Sequence, residues 1–142
     1  MRIVLISALL ALLTACESGM DDDTAARLMQ EASTLERSGQ VVLAYRRYKL
    51  VEGYYSSDGE INKSAWDGAQ RTRVQAEAMQ YEIERALDSY KKEHGAYPKI
   101  LKEVAPYISN RTFASLNSFS YGKREDGSAT AWPIFITTSF SL

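Results

Sequence analysis

The sequence predicts an α+β protein: an N-terminal helical hairpin, one long helix, then a small antiparallel β-sheet of two or three strands. Apolar residues recur every three or four positions from Ala25 to Tyr55 and again from Trp66 to Tyr90, which is the helical period. The last third changes to alternating, aromatic-rich and β-branched segments on either side of Asp126-Gly127, a hairpin signal. At 142 residues the chain makes one ordinary domain, or a small domain with an extension. Its hydrophobic share of 45% argues against disorder, and its formal net charge of -1 lacks the basic excess of a nucleic-acid binder.

Met1 and Arg2 form a short positive region before an apolar run, Ile3 to Leu13. The run falls far short of the roughly 20 residues of a permanent membrane span and has the length of a signal segment. Leu13-Thr14-Ala15-Cys16 follows, in register, and resembles the lipobox of bacterial lipoproteins: an aliphatic residue, a hydroxyl or small residue, a small residue, then Cys. The resemblance implies that residues 1–15 are a signal peptide and that Cys16 begins the mature chain, with a diacylglycerol on its sulfur and a third acyl chain on its amine. Several acyl chains hold a protein on a bilayer stably, at about 0.8 kcal/mol per buried methylene. In the same family Asp after the Cys signals retention in the inner membrane, so Glu17 implies an outer-membrane anchor facing the periplasm. Cys16 is the only cysteine, which excludes an intramolecular disulfide. Residues 17–23 are polar and read as a tether reaching at most about 24 Å.

Asp23 or Thr24 can cap a first helix running to about Arg37, where Ser38-Gly39 stops it. A second helix carries Val41, Ala44, Tyr45, Tyr48, Val51 and Tyr55 as far as Ser56-Ser57-Asp58-Gly59. So short a link forces the two to pack antiparallel. Ala32, Leu35, Gly39, Ala44, Tyr48 and Val51 resemble one tetratricopeptide repeat, in which small residues let the helices approach and the aromatic fills the groove between them. The resemblance implies a hairpin over residues 24–62 and raises the expectation of a peptide-binding surface. Ser56 stands where the repeat usually closes with proline, and no second copy follows.

Asn62 or Ser64 can cap a third helix of about 30 residues whose apolar face includes Trp66, Ala69, Ala76, Met79, Ile83, Ala86, Leu87 and Tyr90. Gly95 is placed to end it, with Lys91, Lys92 and His94 favouring the helix dipole in its last turn. The stretch Ile83 to Pro98, followed by Ile100, Leu101 and Val104, resembles the middle of type IV pilins and type II secretion pseudopilins. There a helix ends in Gly, Tyr and Pro before a short helix and an antiparallel sheet. The resemblance implies a pilin-like module over residues 63–142, with Tyr97 covering the helix end and Pro98 opening the short helix. The apolar assembly helix of that family is replaced here by the lipobox and the hairpin.

Phe119-Ser120-Tyr121 and Thr130 to Phe140 read as strands, with a third possible near Arg111 to Leu116, and Pro133 confines part of the last run to an edge. No cofactor is expected. One His and one Cys cannot supply a transition-metal site, and Asp21-Asp22-Asp23 lacks the spaced loop of an EF-hand. His94 reads as a helix-end residue before it reads as a base. No nucleophile elbow or phosphate-binding glycine loop occurs. The expectation is therefore a non-enzymatic lipoprotein held on the membrane through Cys16, with an envelope protein as partner and neither nucleic acid nor a small-molecule substrate. Of the nine tyrosines, Tyr48 and Tyr55 suit a core, while Tyr45 and Tyr54, with Arg46, are the candidates for partner contact. An accessory subunit of a type II secretion or pilus-like apparatus is the alternative, and a small envelope hydrolase the reading from another class.

Overall fold

The computed structural model describes residues 19–135, so the signal segment, Cys16 and the end of the last expected strand lie outside it. Helix α1 spans Asp22–Arg37 and α2 spans Val41–Tyr54. Asp21, rather than Asp23 or Thr24, caps α1: its carboxylate accepts the Thr24 amide at 2.7 Å. Among four consecutive capping residues the first is used. This leaves Asp22 and Asp23 in the first turn, facing the positive helix end. Asp22 also accepts the Tyr55 hydroxyl at 2.9 Å. The tether therefore gives way to helix at Asp22, ahead of its expected end.

Helix α3 runs Gly59–His94, 36 residues or about 54 Å. It starts before Asn62 and Ser64 because Asp58 takes the cap, accepting the amides of Glu60 and Ile61 at 2.8 and 3.3 Å. Asn62 instead closes α2, donating to the carbonyls of Glu52 and Tyr55 at 3.2 and 2.6 Å. At the other end Gly95 terminates α3 in the left-handed region, φ 77°, with its amide on the Lys91 carbonyl. Tyr97 folds back beside that end, its hydroxyl 3.3 Å from Asp88 and its ring 4.5 Å from the Lys91 ammonium.

Pro98 is buried ahead of the next element and does not open it; a 3₁₀ helix follows at Leu101–Tyr107. Arg111 to Leu116, a possible strand on sequence, belongs instead to helix α4, Asn110–Ser115, and the 3₁₀ turn Leu116–Ser118. Ser109 caps α4 through the Thr112 amide, and Glu82 of α3 accepts from both Ser109 and Thr112. Strands β1 (Phe119–Lys123) and β2 (Ala129–Pro133) pair antiparallel, with Phe119 opposite Pro133 and Lys123 opposite Ala129. The fold class is α+β, with a two-stranded sheet among the described residues. Pro133 takes the last position of β2, where a missing amide is tolerated.

Two stretches of core run along α3. Nearer its start, Ala32, Ala44 and Ala69 are fully buried and bring three helices together around Tyr48. The Tyr48 ring lies against Gly68: a Cβ built there would sit 2.7 Å from its carbons. Because the buried line follows Ala65, Gly68, Ala69 and Thr72, Trp66 is turned away and is 50% exposed, against the expectation that it packs inside. Further along, Val41 and Val42 of α2 join Ile83, Leu87, Val104 and Phe119. The start of α2 thus packs with the C-terminal elements. Gln40 offers its first turn no side-chain cap, so Ser115 supplies one, accepting the Val41 amide at 3.1 Å and donating to the Gly39 carbonyl at 2.6 Å.

The Tyr48 hydroxyl donates to Glu36 at 3.1 Å, and Arg71 of α3 grips the same carboxylate with two bonds of 2.6 and 2.9 Å. Arg71's hydrogen bonds hold the Glu36 carboxyl below its usual range, in spite of burial that pushes it up. The unfolded chain therefore takes up this proton more readily than the folded one. The associated stability is present above the unfolded Glu value and is lost as pH falls through the lowered folded one. Thermal unfolding of wild type should lose stability below about pH 4, and Glu36→Gln should be less stable at pH 7 with a flatter acid limb. Parallel acid limbs in the two proteins would remove Glu36 from this role.

Candidate partner-binding surface

Two of the three residues singled out for partner contact are engaged within the chain itself. The guanidinium of Arg46 donates from both Nε and Nη2 to the Ile134 carbonyl, the former at 2.8 Å. The Tyr45 ring meets Phe135 with centroids 4.6 Å apart and a tilt of 53°. Together with the Ile134 amide on the Ser118 carbonyl at 2.9 Å, these contacts pin the segment after β2 against α2. A carbonyl beyond the end of a strand has no ladder partner, and a forked cation on a neighbouring helix satisfies it. Sequence reasoning had no signal for this, since the partners lie 88 residues apart.

Tyr54 stands apart, 63% exposed at the end of α2. Its own carbonyl accepts the Met20 amide at 2.9 Å, so the exposed ring lies where the chain arrives from Cys16, itself outside the described residues. Tyr48 and Tyr55 are buried, as the spacing suggested. His94 is exposed, stacked on Tyr90 at 4.1 Å with Nδ1 3.0 Å from the Tyr90 carbonyl. That geometry belongs to a helix end. Among the described residues no three His, Cys, Asp or Glu side chains converge as metal ligands, and no helix is long and apolar enough to cross a membrane.

Charged side chains cover much of the remaining surface in pairs. Glu31 receives Arg27 and Arg47 at 2.8 and 3.0 Å, Lys49 meets Glu52 at 2.8 Å, and Arg124 meets Glu84 at 3.2 Å. Such exposed pairs stabilise little and leave no net field, so they mark solvated faces. The end where α1 and α3 begin is acidic, with Asp21, Asp22, Asp23, Asp58 and Glu60 gathered at two positive helix starts.

Arg46→Ala should free the C-terminal segment: hydrogen exchange of the β2 amides should quicken by about tenfold, the scale of losing a part-buried charged hydrogen bond. Tyr54→Ala should change neither exchange nor stability by more than about 0.5 kcal/mol. Unchanged exchange in Arg46→Ala would return that side chain to the outer surface. Comparison with known proteins found no match: no family model fits the chain, and no curated protein or solved structure matches it.

Proposed function

We propose that this chain is a non-enzymatic lipoprotein of the bacterial envelope, anchored through acyl chains on Cys16 and presenting its helical body to a protein partner in the periplasm. The observation that carries the reading is the register of the first sixteen residues: positive start, apolar run, then Leu13-Thr14-Ala15 directly before the only cysteine. The fold is compatible with a short leash. Met20 is already hydrogen-bonded to the Tyr54 carbonyl, and the three residue steps from Cys16 to Gly19 span at most about 11 Å. The body then sits close to the bilayer by its acidic end, with α1 leading away from it. Docking on an outer-membrane inner leaflet, in place of the inner membrane, follows from Glu17.

A second reading, an accessory subunit of a secretion or pilus-like apparatus, draws on one junction. The long α3 ends at Gly95, is flanked by Tyr97 and Pro98, and packs through Ile83 and Leu87 on the elements around a β-hairpin. Normal secretion and piliation in a deletion strain would dispose of it.

Cells fed radiolabelled palmitate should label the wild-type protein and leave Cys16→Ser unlabelled. Density-gradient fractionation should find the wild type with outer membranes. A soluble, unlabelled wild-type protein would overturn the anchor, and label in the inner membrane would overturn the location alone.

A further inference from the structure

At the end of α1 opposite the acidic one, a groove of about 650 Å³ opens between the last turn of α1 and helix α4, with Glu36 and Arg37 on one lip and Asn110, Arg111 and Ala114 on the other. The two lips touch at its base, where a Cβ on Gly39 would lie 3.2 Å from the Arg111 side chain and 3.6 Å from Ala114. Three guanidinium groups belong to this neighbourhood: Arg37, Arg111 and Arg71. Glu36 is the one carboxylate lining the groove, and both its oxygens are occupied. Arg71 takes one with Nε and the other with Nη2, and Tyr48 shares the second. Arg37 and Arg111 hydrogen-bond only neutral partners, the Arg111 charge also acting on Glu36 from a distance. Arg37 reaches the Ser33 carbonyl and the Thr34 hydroxyl at 3.3 and 3.4 Å, and Arg111 reaches the Gln75 side chain at 3.1 Å. Neither forms an ion pair among the described residues, whereas Arg27, Arg47, Arg73 and Arg124 each do.

We infer that this groove docks an acidic segment of a partner protein, with Arg37 and Arg111 receiving its carboxylates from opposite lips. Two arginines without a carboxylate hydrogen-bond partner, one on each lip of one cleft, match carboxylates carried on a chain, and the forked guanidinium suits bidentate capture of each. The feature is too local for a nucleic acid, which needs a basic stripe along the surface, and the net charge of -1 supplies no wider attraction. Helix α1 is 16 residues long, so the groove stands about 24 Å from the acidic end. Its orientation away from the bilayer rests on the Cys16 anchor proposed above; its charge does not. On that orientation a neighbouring copy on the same membrane holds its Asp21–Asp23 cluster at the bilayer, away from this groove.

The test uses the full-length protein in detergent and a fluorescein-labelled hexaglutamate peptide, followed by anisotropy, with hexaglutamine and a short oligonucleotide as controls. Hexaglutamate should bind. Its Kd should rise by about tenfold in the Arg37→Gln/Arg111→Gln double variant, the scale of losing two exposed charge contacts. It should rise again with added salt, while Arg37→Lys/Arg111→Lys should retain part of the affinity and Arg27→Gln/Arg47→Gln should bind as wild type. Circular dichroism checks that each variant is folded. No binding, equal binding by the double variant, equal loss in Arg27→Gln/Arg47→Gln, or equally tight capture of the oligonucleotide would each overturn the assignment. The Cys16→Ser protein should bind the peptide unchanged, so a failed anchor and a failed groove give different results.

Discussion

The molecule is organised around the approach of one aromatic ring to one glycine. Tyr48 projects from α2 onto Gly68 of α3, at a separation that leaves no room for a methyl group, and Ala32 and Ala44 let α1 close over the same place. The ring is buried, so its hydroxyl needs a partner, and Glu36 of α1 provides one. Glu36 in turn is a charge drawn partly out of water, and Arg71 of α3 answers it with two parallel bonds. One side chain thus sets the spacing of three helices and requires the only paired charges that join α1 to α3 among the described residues. Gly68 sits in the middle of a helix, where glycine is otherwise unfavourable by about 1 kcal/mol relative to alanine, so its presence marks the value of the close contact.

From that contact the rest of the fold follows along α3. The helix is long enough to carry the Tyr48 packing in its first half and Ile83 and Leu87 in its second, so a single rigid element joins the hairpin to the C-terminal elements. The junction is reinforced from the opposite direction. Val41 and Val42 at the start of α2 enter the far core, and Ser115 of α4 completes the first turn of α2. The same docking of α4 against the α1–α2 turn creates the cleft with two arginines that lack a carboxylate hydrogen-bond partner, so the basic groove is a by-product of how the helices are closed. Polarity follows as well. Helix α1 begins among aspartates at a positive dipole end and finishes beside arginines, which places opposite charges at opposite ends of the hairpin.

Features determined by near neighbours in the chain were legible in the sequence. Helices α1 and α2, the Gly95 terminator and the hairpin at Asp126-Gly127 arise from local periodicity or from backbone conformation that glycine alone adopts readily, and that periodicity puts Tyr48 and Tyr55 on the buried face of α2. What the sequence concealed was decided by distant partners. Asn62 had the right chemistry for a cap but was recruited by α2 carbonyls, which left the role to Asp58. Arg111 to Leu116 reads as a possible strand, but Glu82, about thirty residues away, fixes Ser109 and Thr112 in a helical turn. Tyr45 and Arg46 read as candidates for partner contact because nothing near them in the chain engages them; their partners are Phe135 and Ile134. Trp66 reads as inward because a large apolar residue outweighs glycine in a periodicity count, whereas Ala65 and Gly68 define the buried face.

The most direct test of this account is a double-mutant cycle on the Tyr48–Gly68 contact, read as unfolding free energy in denaturant. Gly68→Ala alone should destabilise by about 1–3 kcal/mol, because overpacking outweighs the helical preference for alanine. Tyr48→Ala alone should cost about 3 kcal/mol or more. In the Tyr48→Ala background, where the ring is gone, Gly68→Ala should become neutral or stabilising. Simple additivity of the two losses would contradict the claim that the ring and the glycine set the spacing of the helices.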